Sequence, residues 1–586
     1  MTELFRSGLL MSKKRRENCV FFIIFSVVFA LFCRICFLQI FSFRFLQKKA
    51  EKEHLALVKF PAFRGAILDR KGRLLAVSLP AESLYVSPKF IQEPEKTADI
   101  LSKYLGEEKS GLLKKMGRNE NFVWIKRQLN REDYEKIEEL HLPGVGFCEE
   151  FKRVYPKGIL ASHILGFADI DGKGLSGAER ENDALLKGES GWYLLIKDAK
   201  RRVIPSLERK SKEGSQGLDL ILAIDEKIQE ITEEELEKVY QEFHASAATA
   251  IVMDPFTGEI LGLANRPTFD PNSPGSFSPS FLRNRAITDL FEPGSVFKTV
   301  TAAAALEEGI IKPIDRIFCE NGKWLYRNHF LHDHEPYKNL SFQEVIAESS
   351  NIGTAKVALK LGEEDLYRYA CSFGFGEKTG IDLPGEIKGI LRPLNKWSKY
   401  SIIALPIGQE IGATPIQNIC ALAVIANGGK YVKPYLLKEV RNSEGMVVRQ
   451  TRTESKQIIS VKTALTLTSI LKDVVKKEGT AFSANVYGYS VAGKTGTAQK
   501  IVAGRYSHSK FVASFIGYAP ADNPKIIVLV MLDEPKSLYY GGLVAAPAFK
   551  EITRRVLAYL EVPSENLVAT NENLITENTK KKYSHE

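Results

Sequence analysis

Histidine and cysteine are scarce in this chain of 586 residues, and their spacing leaves metal chemistry without support. The nine histidines include no H-E-x-x-H pair. The seven cysteines include no C-x-x-C and no metal-ligand spacing. Cys19, Cys33 and Cys36 lie in an N-terminal apolar stretch, and Cys148, Cys319, Cys371 and Cys420 are far apart. These last four read as free buried thiols rather than a disulfide framework. No metal and no cofactor is expected. No internal repeat is present, and no nucleic-acid motif accompanies the net charge of +10. That charge is spread along the chain, so an anionic surface such as a membrane suits it better than nucleic acid. Apolar residues make up 44% and charged residues 26%, an ordinary balance for a folded chain long enough for two or more domains.

Long apolar runs are also rare: Cys19 to Ile40 is the sole candidate membrane span. As a helix it extends about 33 Å, enough to cross a bilayer. Arg34 and Gln39 sit near one end, where long polar side chains reach the interface. Lys13-Lys14-Arg15-Arg16 precede it and predict a cytoplasmic N-terminus, although Arg44, Lys48 and Lys49 on the other side make the asymmetry incomplete. No small-residue cleavage site follows, so the run is expected to remain as an anchor. Everything after about residue 41 is then extracytoplasmic.

What the chain does have is three short motifs in one order: Ser295-Val296-Phe297-Lys298, Ser349-Ser350-Asn351 and Lys494-Thr495-Gly496. A serine and a lysine three apart share a helix face, which places a nucleophile beside a potential base. The set is similar to the signature of penicillin-recognising serine enzymes. Each motif alone is weak, because Ser507-His508-Ser509-Lys510, Ser483-Ala484-Asn485 and Lys378-Thr379-Gly380 repeat the patterns. Context separates them. Ser295 follows Pro293-Gly294 and opens an Ala-rich run, Val296–Glu308, that predicts a helix ending at Gly309. Ser507 lies in Gly504–Lys510, a polar segment that reads as a loop, and Lys378 also falls in a loop pattern. Lys494 follows Ser490-Val491-Ala492-Gly493, a strand pattern whose small residues let a substrate backbone approach.

Around these motifs, residues 41–217 are mixed and charge-rich. Near residue 218 the pattern changes. Leu218–Ile224 reads as a strand, and Asp225 caps a helix with apolar Ile228, Ile231, Leu236, Val239 and Phe243. Ala247–Met253 and Glu259–Ala264 form a predicted hairpin, while Phe511–Tyr518 and Lys525–Leu532 are strands. Phe549, Ile552, Val556 and Leu560 mark a closing helix. Strands at both ends predict one α+β domain whose termini meet in a single sheet. The expected divisions are a cytoplasmic tail 1–18, anchor 19–40, pedestal 41–217, catalytic domain 218–562 and disordered tail 563–586.

Nearly the whole chain resembles a class B penicillin-binding protein, a monofunctional peptidoglycan transpeptidase with one N-terminal anchor. Arg64-Gly65 to Asp69-Arg70 and the Tyr155-Pro156, His163, Gly166, Gly177-x-Glu179 cluster resemble the family's mixed N-terminal pedestal, a dimerisation-type domain. Phe291-Glu292-Pro293-Gly294-Ser295, Thr379 to Gly385 and Gly412-Ala413-Thr414-Pro415-Ile416-Gln417 resemble its transpeptidase domain. Gly408-Gln409-Glu410-Ile411-Gly412 departs from it, since many members carry another glycine near Glu410. The resemblance implies a five-stranded antiparallel sheet flanked by helices. It implies Ser295 as nucleophile on the penultimate D-alanine of a stem peptide, Lys298 as base, and Lys494 as the cation that lowers its pKa. Ser349 relays a proton, Asn351 bonds Lys298 and the substrate, and Thr495, Gly496 and Thr497 line the terminal carboxylate. The N–H groups of Ser295 and Thr497 form the oxyanion hole. Implied partners are stem peptides, β-lactams, a SEDS-family glycosyltransferase and division proteins at the cytoplasmic (inner) membrane. Tyr539-Tyr540-Gly541-Gly542 resembles the division-type (FtsI-like) branch; the other reading of the glycines is a flexible turn.

Three alternatives stand beside this. A serine D,D-carboxypeptidase or β-lactamase-type hydrolase would use water as acceptor. A catalytically idle division scaffold would lack acylation. A bifunctional glycosyltransferase would need catalytic glutamate motifs that the N-terminal module lacks.

Overall fold

The computed structural model describes residues 2–60, 62–197, 203–204, 210–212, 214–477, 479–502 and 504–565. The expected disordered tail lies outside the described residues from 566 onward. The chain divides into two compact units, residues 1–62 with 189–215 and residues 63–188 with 216–586.

The first unit begins with a helix, Thr2–Cys36, that continues through a wider turn at Phe37–Phe41. Its segment Arg15–Phe41 is long and apolar enough to cross a membrane. Phe21, Phe22, Ile24 and Phe29 are each more than half exposed, as expected of side chains meant for lipid rather than a protein core. The unit also holds a four-stranded sheet in which Gly191–Lys197 pairs Leu55–Phe60, Val203–Ile204 and Lys210–Lys212.

The second unit contains the predicted catalytic sheet. Its strands are β1 (Ala247–Met253), β2 (Ile260–Arg266), β3 (Ala492–Val502), β4 (Arg505–Ala519) and β5 (Ile526–Asp533). The order is β2-β1-β5-β4-β3, all neighbours antiparallel, so strands from both ends of the domain meet in one sheet. Every residue of β1 and β2 is buried, the pattern of strands covered on both faces. Helix α1 (Glu226–Glu242) and the closing helix α5 (Ala546–Tyr559) pack on each other and on the sheet. Between them in sequence come α2 (Lys298–Glu307), α3 (Asn351–Leu361) and α4 (Pro415–Ala426); α4 is buried throughout and packs on β1 and β5. Leu560, expected on the closing helix, is instead its C-terminal cap and partly exposed, because the helix ends at Tyr559.

Three further expectations need correction. Gly504–Lys510 is not a loop from Arg505 onward, because β4 starts there and pairs back on β3 at Val502↔Arg505 and Ile501↔Tyr506. The hairpin projects past the sheet, and its ladder satisfies the backbone whatever the polarity of the side chains. The Ala-rich run starts as a tight turn, Gly294–Val296, and becomes α-helical only at Lys298. All seven cysteines are free, but of the four read as buried only Cys319 and Cys420 are; Cys148 and Cys371 are exposed.

The N-terminal part of this unit has its own small core around Leu84, Ala98, Leu101, Leu112 and Ile125. Its long strand Leu74–Val86 pairs Val145–Val154 along its length. That sheet runs on through Ile67–Leu68 to Asp219–Leu222 and Leu437–Arg441, so it crosses the change of pattern near residue 218. The two charged segments of the pedestal resemblance also meet: Arg64 and Arg153 donate to the fully buried Glu179 at 2.7 and 2.6 Å.

One carboxylate ties these pieces together. Asp225 caps α1 by accepting from the Lys227 N–H at 2.9 Å, and it accepts from Arg73 at 2.8 Å and Tyr559 of α5 at 3.0 Å. Burial pushes its carboxyl up, but these hydrogen bonds outweigh burial and hold it below the ordinary carboxylate range. Its contribution is therefore present above the unfolded carboxyl pKa and lost as pH falls through the lowered folded value. Asp225→Asn should cost about 2–4 kcal/mol of unfolding free energy at neutral pH and much less near pH 2. Denaturant melts of both proteins at the two pH values check this; equal losses at both would refute the ionic part.

Candidate active site

Ser295 sits in the Gly294–Val296 turn, half-buried, just before α2. The turn packs on the edge strand β3. Gly496 of β3 makes that approach possible, since a Cβ there would lie 2.4 Å from Ser514 Oγ and 3.1 Å from the Pro293 carbonyl. An edge strand also leaves one row of N–H and C=O groups without ladder partners, open to an extended peptide.

Lys298, three residues on, is fully buried. Its Nζ donates to the Ser349 carbonyl, to Ser349 Oγ at 3.2 Å and to Asn351 Oδ1 at 2.7 Å. Ser349 can present both oxygens because its backbone is left-handed, with φ +60°, a strained choice for a residue with a side chain. The strain is held by its neighbours. Ser350 caps α3, accepting from the Gly353 N–H at 2.9 Å, and donates to Asp333 at 2.6 Å. Asp333 also accepts from the N–H groups of Asn351 and Ile352, so one carboxylate faces the helix N-terminus. The Asn351 amide donates onward to the His332 carbonyl at 2.8 Å.

Lys494 on β3 is the second fully buried lysine. Its hydrogen-bond partner is Thr495 Oγ1 at 3.3 Å. Burial first, then the Lys494 charge, push the Lys298 ammonium well below its ordinary 10.5, with Asp333 opposing. Burial likewise lowers Lys494 to about 7, with the Glu348 charge opposing. Both lysines are fully buried, and the Lys494 charge adds to the cost of a proton on Lys298.

Thr495 and Thr497 alternate with Lys494 and Gly496 along β3 and lie under the start of the short helix Gly541–Val544. The Gly541 N–H donates to Thr497 Oγ1 at 3.2 Å, and Thr495 Oγ1 is 3.4 Å from Thr480 Oγ1. Gly541 and Gly542 are buried and open a short helix, Gly541–Val544; a Cβ on Gly541 would lie 2.5 Å from the Gly496 carbonyl. Tyr539 stacks on Phe511 at 4.1 Å, and Tyr540 meets His334 edge-on at 5.5 Å.

The structure thus gathers Lys298, Ser349 and Asn351 directly, brings β3 against the Ser295 turn, and sets the Lys494 charge on Lys298. The competing motif copies fall elsewhere: Ser507 is on the exposed hairpin, and Thr379 is bonded to Glu386 at 2.6 Å. Asp333 was not read from the sequence; a single acid between two histidines gives no signal of a contact 18 residues away. The departure at Glu410 has a physical account. Its φ is +60°, the conformation a glycine adopts freely. Its N–H donates to Glu292 at 2.9 Å, and Arg392 and Ser401 hold its carboxylate at 2.6 and 2.7 Å.

Residues 248–554 match the family described as penicillin binding protein transpeptidase domain, and residues 59–222 match the penicillin-binding protein dimerisation domain. The probable peptidoglycan D,D-transpeptidase PenA of Neisseria meningitidis is 35% identical over 551 residues, covering 93% of each chain. Stage V sporulation protein D of Bacillus subtilis is 36% identical over 573 residues, 94% of this chain and 87% of that protein. The peptidoglycan D,D-transpeptidase FtsI of Buchnera aphidicola is 32% identical over 553 residues, 93% of this chain and 95% of that one. Among solved structures, penicillin binding protein 3 of Mycobacterium tuberculosis with aztreonam aligns with TM-score 0.68 at 28% identity, covering 86% of this chain and 98% of that one. A peptidoglycan synthetase from Bifidobacterium adolescentis aligns with TM-score 0.71 at 27% identity, covering 87% of this chain and 98% of that one. With Lys298 buried beside Ser349 and Asn351, the Ser295 turn packed on the edge of a five-stranded sheet, and 93% of its length aligned with the Buchnera transpeptidase, this chain belongs to the penicillin-binding protein transpeptidase family, class B.

Proposed function

We propose that this chain is a serine-type peptidoglycan D,D-transpeptidase that cross-links stem peptides through an acyl-enzyme on Ser295. The observation that carries the reading is Lys298, buried without a carboxylate in bonding distance among the described residues and held by Ser349 and Asn351. A lysine so placed is a neutral base in waiting.

In this reading the stem peptide lies along β3. Its terminal carboxylate meets Lys494 and the hydroxyls of Thr495 and Thr497, while Gly496 leaves the backbone accessible. That carboxylate adds an anion beside Lys494 and draws its titration back up. The restored ammonium holds Lys298 neutral, so binding completes the electrostatics of the base. Ser295 Oγ then attacks the penultimate D-alanine carbonyl and its proton passes to Lys298. The oxyanion forms between the N–H groups of Ser295 and Thr497. Ser349 relays the proton to the departing D-alanine. An amine from a neighbouring stem peptide resolves the ester and makes the cross-link. β-Lactams acylate the same serine; the M. tuberculosis relative is solved with aztreonam and with ampicillin. A hydrolase reading would require water to replace the amine, with steady turnover of penicillin as its mark. An idle scaffold would bind no penicillin covalently.

Fluorescent-penicillin labelling of the purified protein and three variants tests this. Ser295→Ala should abolish the label. Lys298→Arg should slow acylation by about 100-fold or more, because a guanidinium cannot become a neutral base. Lys494→Arg keeps the charge and should retain part of the rate. Label that survives Ser295→Ala, or that maps to Ser507, overturns the site; equal complete loss in both lysine variants overturns the roles.

The proposed divisions are those of the sequence: tail 1–18, anchor 19–40, pedestal 41–217, catalytic domain 218–562 and tail 563–586. The basic cluster Lys13–Arg16 ahead of the anchor supports a cytoplasmic N-terminus and an extracytoplasmic catalytic domain at the cytoplasmic membrane. FtsI among the relatives, with the packed Tyr539–Gly542 segment, supports septal work beside a SEDS-family glycosyltransferase and other division proteins. An export-dependent reporter fused after Glu586 should be active, and depletion should block septation while cells enlarge. A cytoplasmic reporter signal, or cells that lose shape yet divide, would move the protein out of this assignment.

A further inference from the structure

A strand pair ahead of the second motif carries a surface that the chemistry above does not use. Lys323–Tyr326 and His329–His332 form a hairpin in which Trp324 stands opposite Leu331 and Leu325 opposite Phe330. Alternation puts Trp324, Tyr326 and Leu331 on one face, and these pack on the domain core. Lys356 reinforces that seat, its ammonium 5.3 Å from the Trp324 ring centre and 2.6 Å from Glu320. Lys323, Leu325, Phe330 and His332 occupy the other face. A hairpin face open to water is ordinarily polar, yet Leu325 is 53% exposed and Phe330 49%. The Phe330 and His332 rings are 6.1 Å apart and tilted by 34°, and the Lys323 ammonium lies 4.5 Å from the Phe330 ring centre.

This hairpin runs directly into the active site. The His332 carbonyl accepts from the Asn351 amide, Asp333 holds Ser350 and Asn351, and His334 meets Tyr540 edge-on at 5.5 Å. Tyr540 heads the short helix that covers β3, so the end of the hairpin and the cover of β3 meet at the mouth of the site. β3 is the wall given above to the donor stem peptide, and the exposed hairpin face is continuous with the other wall. We propose that this face is the platform for the second substrate, an uncross-linked peptidoglycan strand whose amine resolves the acyl-enzyme. The proposal rests on the transpeptidase reading above.

The chemistry of the face suits such a strand. Sugar rings present C–H faces that pack on exposed aromatic and aliphatic side chains, here Phe330 and Leu325. Stem peptides carry carboxylates, and Lys323 is a cation without a carboxylate partner among the described residues. Arg327 at the hairpin turn is a second. Both are exposed, so their attraction is screened by salt. In the step itself the acceptor nitrogen bonds to the acyl carbon and gives up a proton, while the ester bond to Ser295 Oγ breaks and that oxygen takes a proton back. The platform takes no part in that exchange; it holds the carrier of the amine near the ester. A protein partner or a second copy of this chain on the same face would leave the choice of acceptor untouched.

The test follows, on the full-length protein in detergent, how the acyl-enzyme formed from a stem-peptide donor is shared between two acceptors. One is an uncross-linked peptidoglycan strand; the other is a free D-amino acid, which brings the amine without sugar or peptide. The quantity read is the ratio of the strand's half-saturating concentration to that of the D-amino acid, which cancels any change in acylation or folding. In Phe330→Ser and in Lys323→Glu this ratio should rise about three- to tenfold. The Lys323→Glu effect should fade in ~0.5 M salt. Lys323→Arg keeps the charge and should hold the wild-type ratio. A ratio that stays put in Phe330→Ser or in Lys323→Glu, or that rises as far in Lys323→Arg as in Lys323→Glu, overturns the platform. Wild type that penicillin does not acylate, or that is acylated yet cross-links no strand, overturns the transpeptidase reading and the platform with it.

Discussion

Two fully buried lysines, Lys298 and Lys494, govern this site. An ammonium taken out of water is costly, and a second one nearby raises the cost, so the pair cannot comfortably hold two protons. The fold answers by treating the two lysines differently. Lys298 is surrounded by neutral oxygens of Ser349 and Asn351, which accept from an ammonium but also suit a neutral amine. Lys494 lies on a strand whose neighbours can receive a substrate carboxylate. The asymmetry of partners gives the two lysines the different surroundings that the proposed base and cation require.

That asymmetry depends on strain held elsewhere. Ser349 keeps a left-handed backbone because Asp333 fixes the next two residues and α3 starts immediately afterwards. β3 can press against the Ser295 turn because Gly496 has no side chain, and the covering helix can press on β3 because Gly541 has none. A methyl group at Gly496 would crowd Pro293 of the Ser295 turn, and one at Gly541 would collide with the backbone carbonyls of Ser514 and Gly496. The Asp225 junction does similar work at larger scale, tying the Asp69–Arg73 turn, the start of α1 and the end of α5 to one carboxylate.

Much of this was legible in the sequence, for identifiable reasons. The three motifs carry their chemistry in the side chains themselves, and the apolar runs at 247–264 and 511–532 announce strands that two-sided burial then explains. The Asp225 cap could be read because a cap is a local signal. What could not be read was non-local. Asp333 acts on residues of the second motif through a loop that has no periodicity. The β3–β4 hairpin extends past Arg505 because of its ladder, not its polar side chains. The sheet crossing residue 218 pairs segments more than 150 residues apart, which no composition shift reports. Glu410 in a glycine-type conformation shows the same limit, since Glu292, Arg392 and Ser401 hold it from distant parts of the chain.

The central claim is that the two lysines titrate as a strongly depressed pair. Carbon-13 labelling of lysine side chains, with Lys298 and Lys494 assigned by Lys→Arg variants, would follow each ammonium by NMR across pH. The account predicts that both titrate far below 10.5 and that Lys298 moves upward when the Lys494 charge is absent. Two lysines titrating near 10.5, independent of each other, would contradict it.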